Sequence, residues 1–550
     1  MTYLRYIFPP YRLRALIYLV FALVLATVAS APAQTPRVDA RANVLRLGLN
    51  VSGFNTRDPH YAASFADRIL ADLVFNGLIR FTPGQAPNLE PDLAENIPEP
   101  QIINGKQTWT FFLKKGIYFQ GEGPLRRREV TSEAVLRSFK KTMDPRRSAY
   151  AGGYQGIFMQ ALDRYTVRFT VDPPQSPLLF LPKVADYAGG FITAEVHDPR
   201  EPESPRLLGT GPFKILGQFD DRFVLTAHDH YFRGRPQLDG IEIFFVPRPA
   251  DRLPAFRDYL DLMAGESNEG WVNRVMALDH ARVNILGVQE TATLHFNTRK
   301  PPFSDIRVRK AVAYALDREG FVHPFGETMA QSIFSPVPPY MPGGLSRDNV
   351  KAMGLDYPTN LDKARKLLAD AGYPKGFRIT TVASELDQYL KNARTLEAQL
   401  ARVGIQLDLV LAGHARMHKL IRSQDYPLVL YEAFRPNTDE ILSRFFHSES
   451  SVITGRAPAT NFSHYDGIDA LIEKARGERI TLNQIKLWEY AQIKLLEDMV
   501  VYPLHFRQQA FARKDYLELG HPVTAAMALY PQITEKTRLI LPRPGTGERP

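Results

Sequence analysis

Between Tyr389 and Val403 apolar residues recur at helical spacing, Gly404 ends the run, and Ile405, Leu407 and Leu409 then alternate at period two. A helix that passes through one glycine straight into a strand is the unit of an α/β domain. The same texture recurs upstream. Ser304-Asp305 precedes Val308, Val312, Ala315 and Leu316 on one helical face, and Asn360 precedes Ala364, Leu367, Leu368 and Ala371, with Gly372 as the stop. Short polar side chains before a periodic run accept the first free N–H groups, and glycine after it takes the left-handed turn.

The first half is richer in strands. Asn43 to Val51 alternates through Val44, Leu45, Leu47, Leu49 and Val51 and predicts a first strand, followed by a helix carrying Ile69, Leu70, Leu73 and Val74. Trp109–Leu113 and Tyr118–Gln120 read as a hairpin around Lys114-Lys115-Gly116. Thr131 starts a helix through Val135 and Phe139 that Asp144-Pro145 ends. Tyr165–Val171 is a further alternating strand closed by Asp172-Pro173-Pro174.

At 550 residues the chain exceeds one ordinary core, so two or three compact units are expected. Its start differs from the rest. Arg5, Arg12 and Arg14 precede the apolar run Ala15–Val28, and Ala31-Pro32-Ala33 offers a cleavage site, the order of a secretory signal. That run has 14 residues, short of the roughly 20 that span a bilayer. Cleavage after Ala33 removes three arginines and no acid, so the net charge falls from +9 to +6, 9 − 3. With 59 acids in the chain, no dense basic block marks a nucleic-acid surface, and the short run Arg126–Arg128 reads as solvated loop. The chain has no cysteine, which excludes disulfides, thiolate metal sites, cysteine nucleophiles and a lipoprotein anchor. An exported chain without a lipid anchor is expected in the periplasm.

Signatures of catalysis are absent: there is no His-Glu-x-x-His and no Gly-x-Ser-x-Gly. The glycines of RLLGTGPFKIL (Arg206–Leu216) stand two apart, and Pro212 removes a backbone donor, so the segment is no phosphate loop. It reads as a turn leading into a strand through Phe213 and Ile215. His414 and His418 are four apart and share a helical face, a spacing that suits a metal, yet a third ligand would have to come from elsewhere. His228 and His230 flank a strand and carry less. No metal or cofactor is assigned.

Six segments in order resemble one family, the periplasmic solute-binding proteins of peptide-type ABC transporters. They are LEPDLAENIPEP (Leu89–Pro100) with TWTFFLKKGIYF, LLGTGPFKI, YFRGRPQLDGIEIFF (Tyr231–Phe245), LHFNTRKPPFSDIRVRKAVAYALDR (Leu294–Arg318), LDKARKLLADAGYPKGF (Leu361–Phe377) and LARVGIQLDLVL (Leu400–Leu411). The resemblance implies an α/β, two-lobed periplasmic-binding-protein fold of the class II type with an extra inserted subdomain. The expected division is a signal peptide at 1–33, lobe I at 34–85, 186–290 and 501–541, an inserted subdomain at 86–185, lobe II at 291–500, and a disordered tail at 542–550. Glu290–Thr298 and Val500–Phe506 would be the hinge. The implied function is a monomeric receptor, not an enzyme, that closes two lobes on a peptide or peptide-like solute and delivers it to an ABC transporter permease. A receptor for a metal, haem or nickel complex, or a sensor or chaperone of the same fold, is the alternative.

Relatives that bind free peptides are similar in placing an aspartate for the peptide amine about three residues after an aromatic. Here the aromatic is Phe434, flanked by Arg435, and that position is Asn437, followed by Asp439. Where dipeptide binders place an arginine for the carboxylate, this chain reads SELDQYL, Ser384–Leu390, with Asp387. A buried charge without a partner is costly. The ligand expected is therefore a longer or blocked peptide, or a cationic or sugar-bearing solute. Ordinary loop surface is the competing account of Asp387, Arg435 and Asp439. Ser64, Phe65 and Trp271 complete the ligand-binding set, Trp271 as a stacking ring in the loop MAGESNEGWVNR.

Overall fold

The computed structural model describes residues 43–121, 128–198, 201–219, 221–266, 268–423, 425–524, 527 and 530–540. The expected signal peptide, the tail and Arg126 and Arg127 lie outside the described residues. The fold is two-lobed and α/β, with an inserted subdomain. Its first strand, Val44–Leu49, runs parallel to Gly240–Phe245 on one side and to Leu262–Ala264 on the other. Leu45, Leu47 and Leu49 are fully buried while Arg46 is exposed, the alternation expected of a strand with one buried face. They pack with Ile69, Leu73, Phe213, Ile241 and Phe511.

Two long strands then carry the sheet from one lobe to the other. Ala281–Phe296 and Val501–Lys514 pair antiparallel from Ala281 opposite Lys514 to His295 opposite Val501, and Leu428–Ala433 pairs with the far half of the former. Beyond them the parallel pair Phe377–Ser384 and Ile405–Ala412 is covered by Ile306–Ala315, Leu361–Asp370 and Asp387–Ala401. The expected caps are present: Asp305 accepts from the Arg307 N–H and Asn360 from the Lys363 N–H. Gly404 has φ +84°, and a Cβ there would stand 2.8 Å from the Lys375 carbonyl oxygen.

The inserted subdomain is a four-stranded sheet in the order Gln101–Ile103, Lys106–Phe112, Thr166–Val171, Ile157–Asp163. Helix Ser132–Met143, capped by Thr131 as expected, packs Phe139 edge-on against Phe169. The expected hairpin is corrected here. Trp109 lies opposite Phe169, not opposite Tyr118–Gln120. After the turn, Lys114 donates to the Asp92 carbonyl and the chain leaves the sheet. Phe119 then donates to the Arg128 carbonyl and Val130 to that of Ile117. Trp109 and Phe111 find their partners, Phe169 and Val167, in the alternating segment more than fifty residues downstream.

RLLGTGPFKIL behaves as a turn into a hairpin, Phe213–Phe219 against Arg222–Ala227. The role of its glycines is close approach. A Cβ on Gly209 would overlap the Val74 carbonyl, and one on Gly211 would stand 2.5 Å from the Val74 carbonyl carbon. The Gly211 N–H donates to the Val74 oxygen at 2.8 Å, and the Gln120 side chain donates to the Gly211 and Phe213 carbonyls. The crossing thereby joins the inserted subdomain to the end of helix Phe65–Val74.

Candidate functional site: the boundary between the lobes

Where the long strands cross between lobes, they and Leu428–Ala433 carry a row of charges. Arg507 stands opposite Glu290, and Glu432 comes from the neighbouring strand. The Arg507 guanidinium contacts the Glu290 carboxylate and donates to Glu432 Oε2 at 3.2 Å. Helix Asp387–Ala401 covers the row. Tyr389 donates its hydroxyl to Glu290 at 3.0 Å, and Asn392 donates its amide to Glu432 Oε1 at 2.8 Å. His505 Nε2 lies 2.9 Å from Asn392 Oδ1, which fixes that nitrogen as the donor. Burial pushes the Glu432 carboxyl up to about 7 against the pull of Arg507, and burial with Arg507 pushes the His505 imidazole down to about 3.

The two histidines expected to share a face do so. His414 and His418 begin helix His414–Ser423, with their Nε2 atoms 3.1 Å apart. His414 Nδ1 meets the Ser384 hydroxyl at 3.2 Å, and its ring lies 4.7 Å from that of Tyr389. Burial and the neighbouring His414 push His418 down to about 4. Among the described residues no group of three or more His, Asp or Glu side chains could hold a metal. His228 is buried at the lobe I turn, where Nδ1 meets the Gly211 carbonyl oxygen at 3.1 Å.

The eight expected ligand positions divide sharply. Ser64 caps helix Phe65–Val74 by accepting from the Asp67 N–H, and Phe65 packs 5.9 Å from Phe511. Phe434 reaches across to that helix, its ring centroid 5.6 Å from the Arg68 guanidinium carbon. Arg435 donates to the Phe434 carbonyl and lies over Phe445. Asn437 is a helix cap, accepting from the Glu440 N–H at 2.9 Å. Asp439 is buried and paired with Arg476 at 3.0 Å. Asp387 points to solvent, its side chain 81% exposed, and pairs with Lys391 one turn on.

Trp271 departs from its expected setting. It lies in helix Glu269–Met276, whose cap Asn268 accepts from the Trp271 N–H at 2.8 Å, rather than in a loop. The ring is fully buried with Phe256, Leu260 and Met263 and occupies the space that a Cβ on Gly265 would need. Packing accounts for it, and no exposed ring face remains for stacking.

Residues 88–451 match the family model described as bacterial extracellular solute-binding proteins, family 5 Middle. The chain belongs to that family. Among solved structures it resembles MoaA of A. tumefaciens in complex with mannopinic acid, 33% identical with a TM-score of 0.73, covering 90% of this chain and 99% of that one. The dipeptide-binding protein of Escherichia coli is 26% identical over 76% of this chain and 81% of its own length. Heme-binding protein A of Haemophilus influenzae is 25% identical over 76% of this chain and 79% of its own. The chain is thus a solute-binding protein of a group associated with peptide uptake through ABC transporters.

For a family 5 solute-binding protein, the residue that sequence reasoning missed is Arg68. It stands four positions after the capping Ser64, hence on the same side of the helix, and its guanidinium carbon lies 5.4 Å from the Tyr187 ring as well as near Phe434. An arginine one turn into a helix whose start was already a ligand candidate was the available signal.

Proposed function

We propose that this protein captures a peptide or peptide-like solute between its lobes and presents the closed form to an ABC transporter permease. The observation that carries the reading is a boundary bridged from both sides. Arg68 of helix Phe65–Val74 faces Phe434 of the loop after Leu428–Ala433, and the Ser176 hydroxyl donates to Gln484 at 2.6 Å. A ligand that touches both sides only when they are closed shifts the population toward that form. On this reading lobe I comprises 34–85, 186–290 and 501–541, the inserted subdomain 86–185 and lobe II 291–500. Ser64, Phe65, Phe434 and Arg435 face the solute. The first 33 residues direct export to the periplasm and are cleaved, and the receptor acts as a monomer without catalysing a reaction.

One observation favours a particular solute class. The 33%-identical MoaA is named for a complex with mannopinic acid, and the peptide-amine position here is a helix-capping Asn437. A solute that carries a sugar on an amino-acid part fits both. The test is a thermal-shift screen of the mature protein against peptides of two to six residues and against sugar–amino acid conjugates. A ligand at a hundred times its Kd stabilises the folded state by about 2.7 kcal/mol. No shift with any solute, together with turnover of a peptide or ester substrate, would sink the receptor reading.

A further inference from the structure

We propose that Arg68 is the anion anchor of the cleft and that the solute carries a carboxylate which the Arg68 guanidinium takes when the lobes close. The proposal rests on the receptor reading above and narrows its solute class. Arg68 lies 5.4 Å from the Tyr187 ring and 5.6 Å from the Phe434 ring, so aromatic groups from two different segments orient the guanidinium. Its Nε is buried and has no hydrogen-bond acceptor. The Arg507 Nε at the same boundary is open as well, so what sets Arg68 apart is the lack of a carboxylate partner among the described residues.

The aspartates nearby are engaged elsewhere. Asp67 accepts from the Asn55 backbone N–H at 2.8 Å and from the Asn55 side chain at 3.1 Å. Asp72 takes the Tyr530 hydroxyl, and Asp186 takes the Phe81 N–H at 2.8 Å. Among the described residues no carboxylate lies within ion-pair distance of Arg68. By contrast, every other arginine named above at the boundary has an acid or a carbonyl.

The cavity beside Arg68, lined also by Asp72, Phe81, Asp186, Tyr187 and Gln532, is no larger than a water molecule. That cavity has no room for a carboxylate, so the solute would reach the guanidinium from the cleft between the lobes, where a planar carboxylate matches its paired N–H groups. Ser384–Leu390 in lobe II contains no arginine. Arg68 places the positive charge on lobe I instead, so closure brings the Phe434 ring over a guanidinium already holding its ligand.

The experiment is isothermal titration of the mature protein with carboxylate solutes, mannopinic acid and short acidic peptides, each beside its carboxamide counterpart. Wild type should bind the acids more tightly. Arg68→Gln should lose roughly ten- to a hundredfold for the acids and leave the carboxamides unchanged. Arg68→Lys, which keeps the charge without the planar fork, should fall between, and the melting points of the ligand-free variants check that folding is intact. Acids bound equally well by Arg68→Gln, or a wild type that prefers carboxamides, would overturn the anchor while leaving the receptor standing. If neither acids nor carboxamides nor any solute of the wider screen bound wild type, the receptor reading itself would fall.

Discussion

Of the arginines where the lobes meet, Arg507 and Arg68 are treated in opposite ways. Arg507 is 3% exposed between strands that supply it with Glu290 and Glu432, and Tyr389 and Asn392 saturate the remaining oxygens of those carboxylates. Both guanidiniums lie over aromatic rings and both have a buried Nε without a partner, but among the described residues Arg68 meets no acid. A buried cation with its counter-charges built in belongs to the scaffold, because removing it strands two carboxylates. A cation supplied with orienting rings but no counter-charge is arranged for a partner that comes and goes. On the proposed reading, the difference separates hinge from recognition surface more clearly than residue type or position.

The largest expected effect is at the hinge. Arg507→Met should lower the unfolding free energy by about 3–5 kcal/mol, since it leaves Glu432 buried and Glu290 partly buried without a cation. Chemical denaturation of the ligand-free protein measures it, and a loss below about 1 kcal/mol would mean that the hinge row is not the structural ion cluster described. Next is the pH dependence of Glu432. Its folded value of about 7 lies above the ordinary 4.5, so its contribution to stability is complete below about 4.5 and is lost as pH rises through about 7. Stability at pH 5 minus that at pH 8 should therefore be smaller in Glu432→Gln than in wild type, by on the order of 1–3 kcal/mol. The difference between the two proteins is the quantity to read. His505, with its value held down to about 3, slopes the other way: its contribution is present above about 6.5 and falls away in acid.

How far the sequence anticipated this architecture depends on the range of the forces involved. Thr131, Asp305 and Asn360 were legible as caps because a cap answers to N–H groups two or three residues away. Period-two alternation marked Val44–Leu49 and Thr166–Val171 for the same reason. The choice of partner strand is not local, and so Trp109 was assigned the neighbouring segment when its partner was Phe169. Trp271 misled because polar, glycine-flanked residues look like a loop. Asn268 and Gly265 in fact cap a helix and clear room for the ring. The site suffered most from distance in sequence: Phe434 was legible, but that Arg68 faces it follows only from the folded chain.

The smaller effects test the other side of the contrast. Arg68→Gln should cost the ligand-free protein no more than about 1 kcal/mol, the scale of a cation held over aromatic rings, because no acid is stranded by its loss. A loss near that of Arg507→Met would place Arg68 in the scaffold.

Smallest of all is Asp387→Ala. Its carboxylate is 81% exposed and pairs with Lys391 at 2.9 Å, one turn along the same helix. Pairs of this kind contribute about 0.3–0.5 kcal/mol and are screened by salt. Stability should therefore change by no more than that, and affinity for the solute found in the screen should not change. A tenfold fall in affinity would show that lobe II supplies a charge to the solute after all, which would make recognition a two-lobed ionic clamp. Unchanged affinity leaves the ionic contact on lobe I, with lobe II contributing the Phe434 ring.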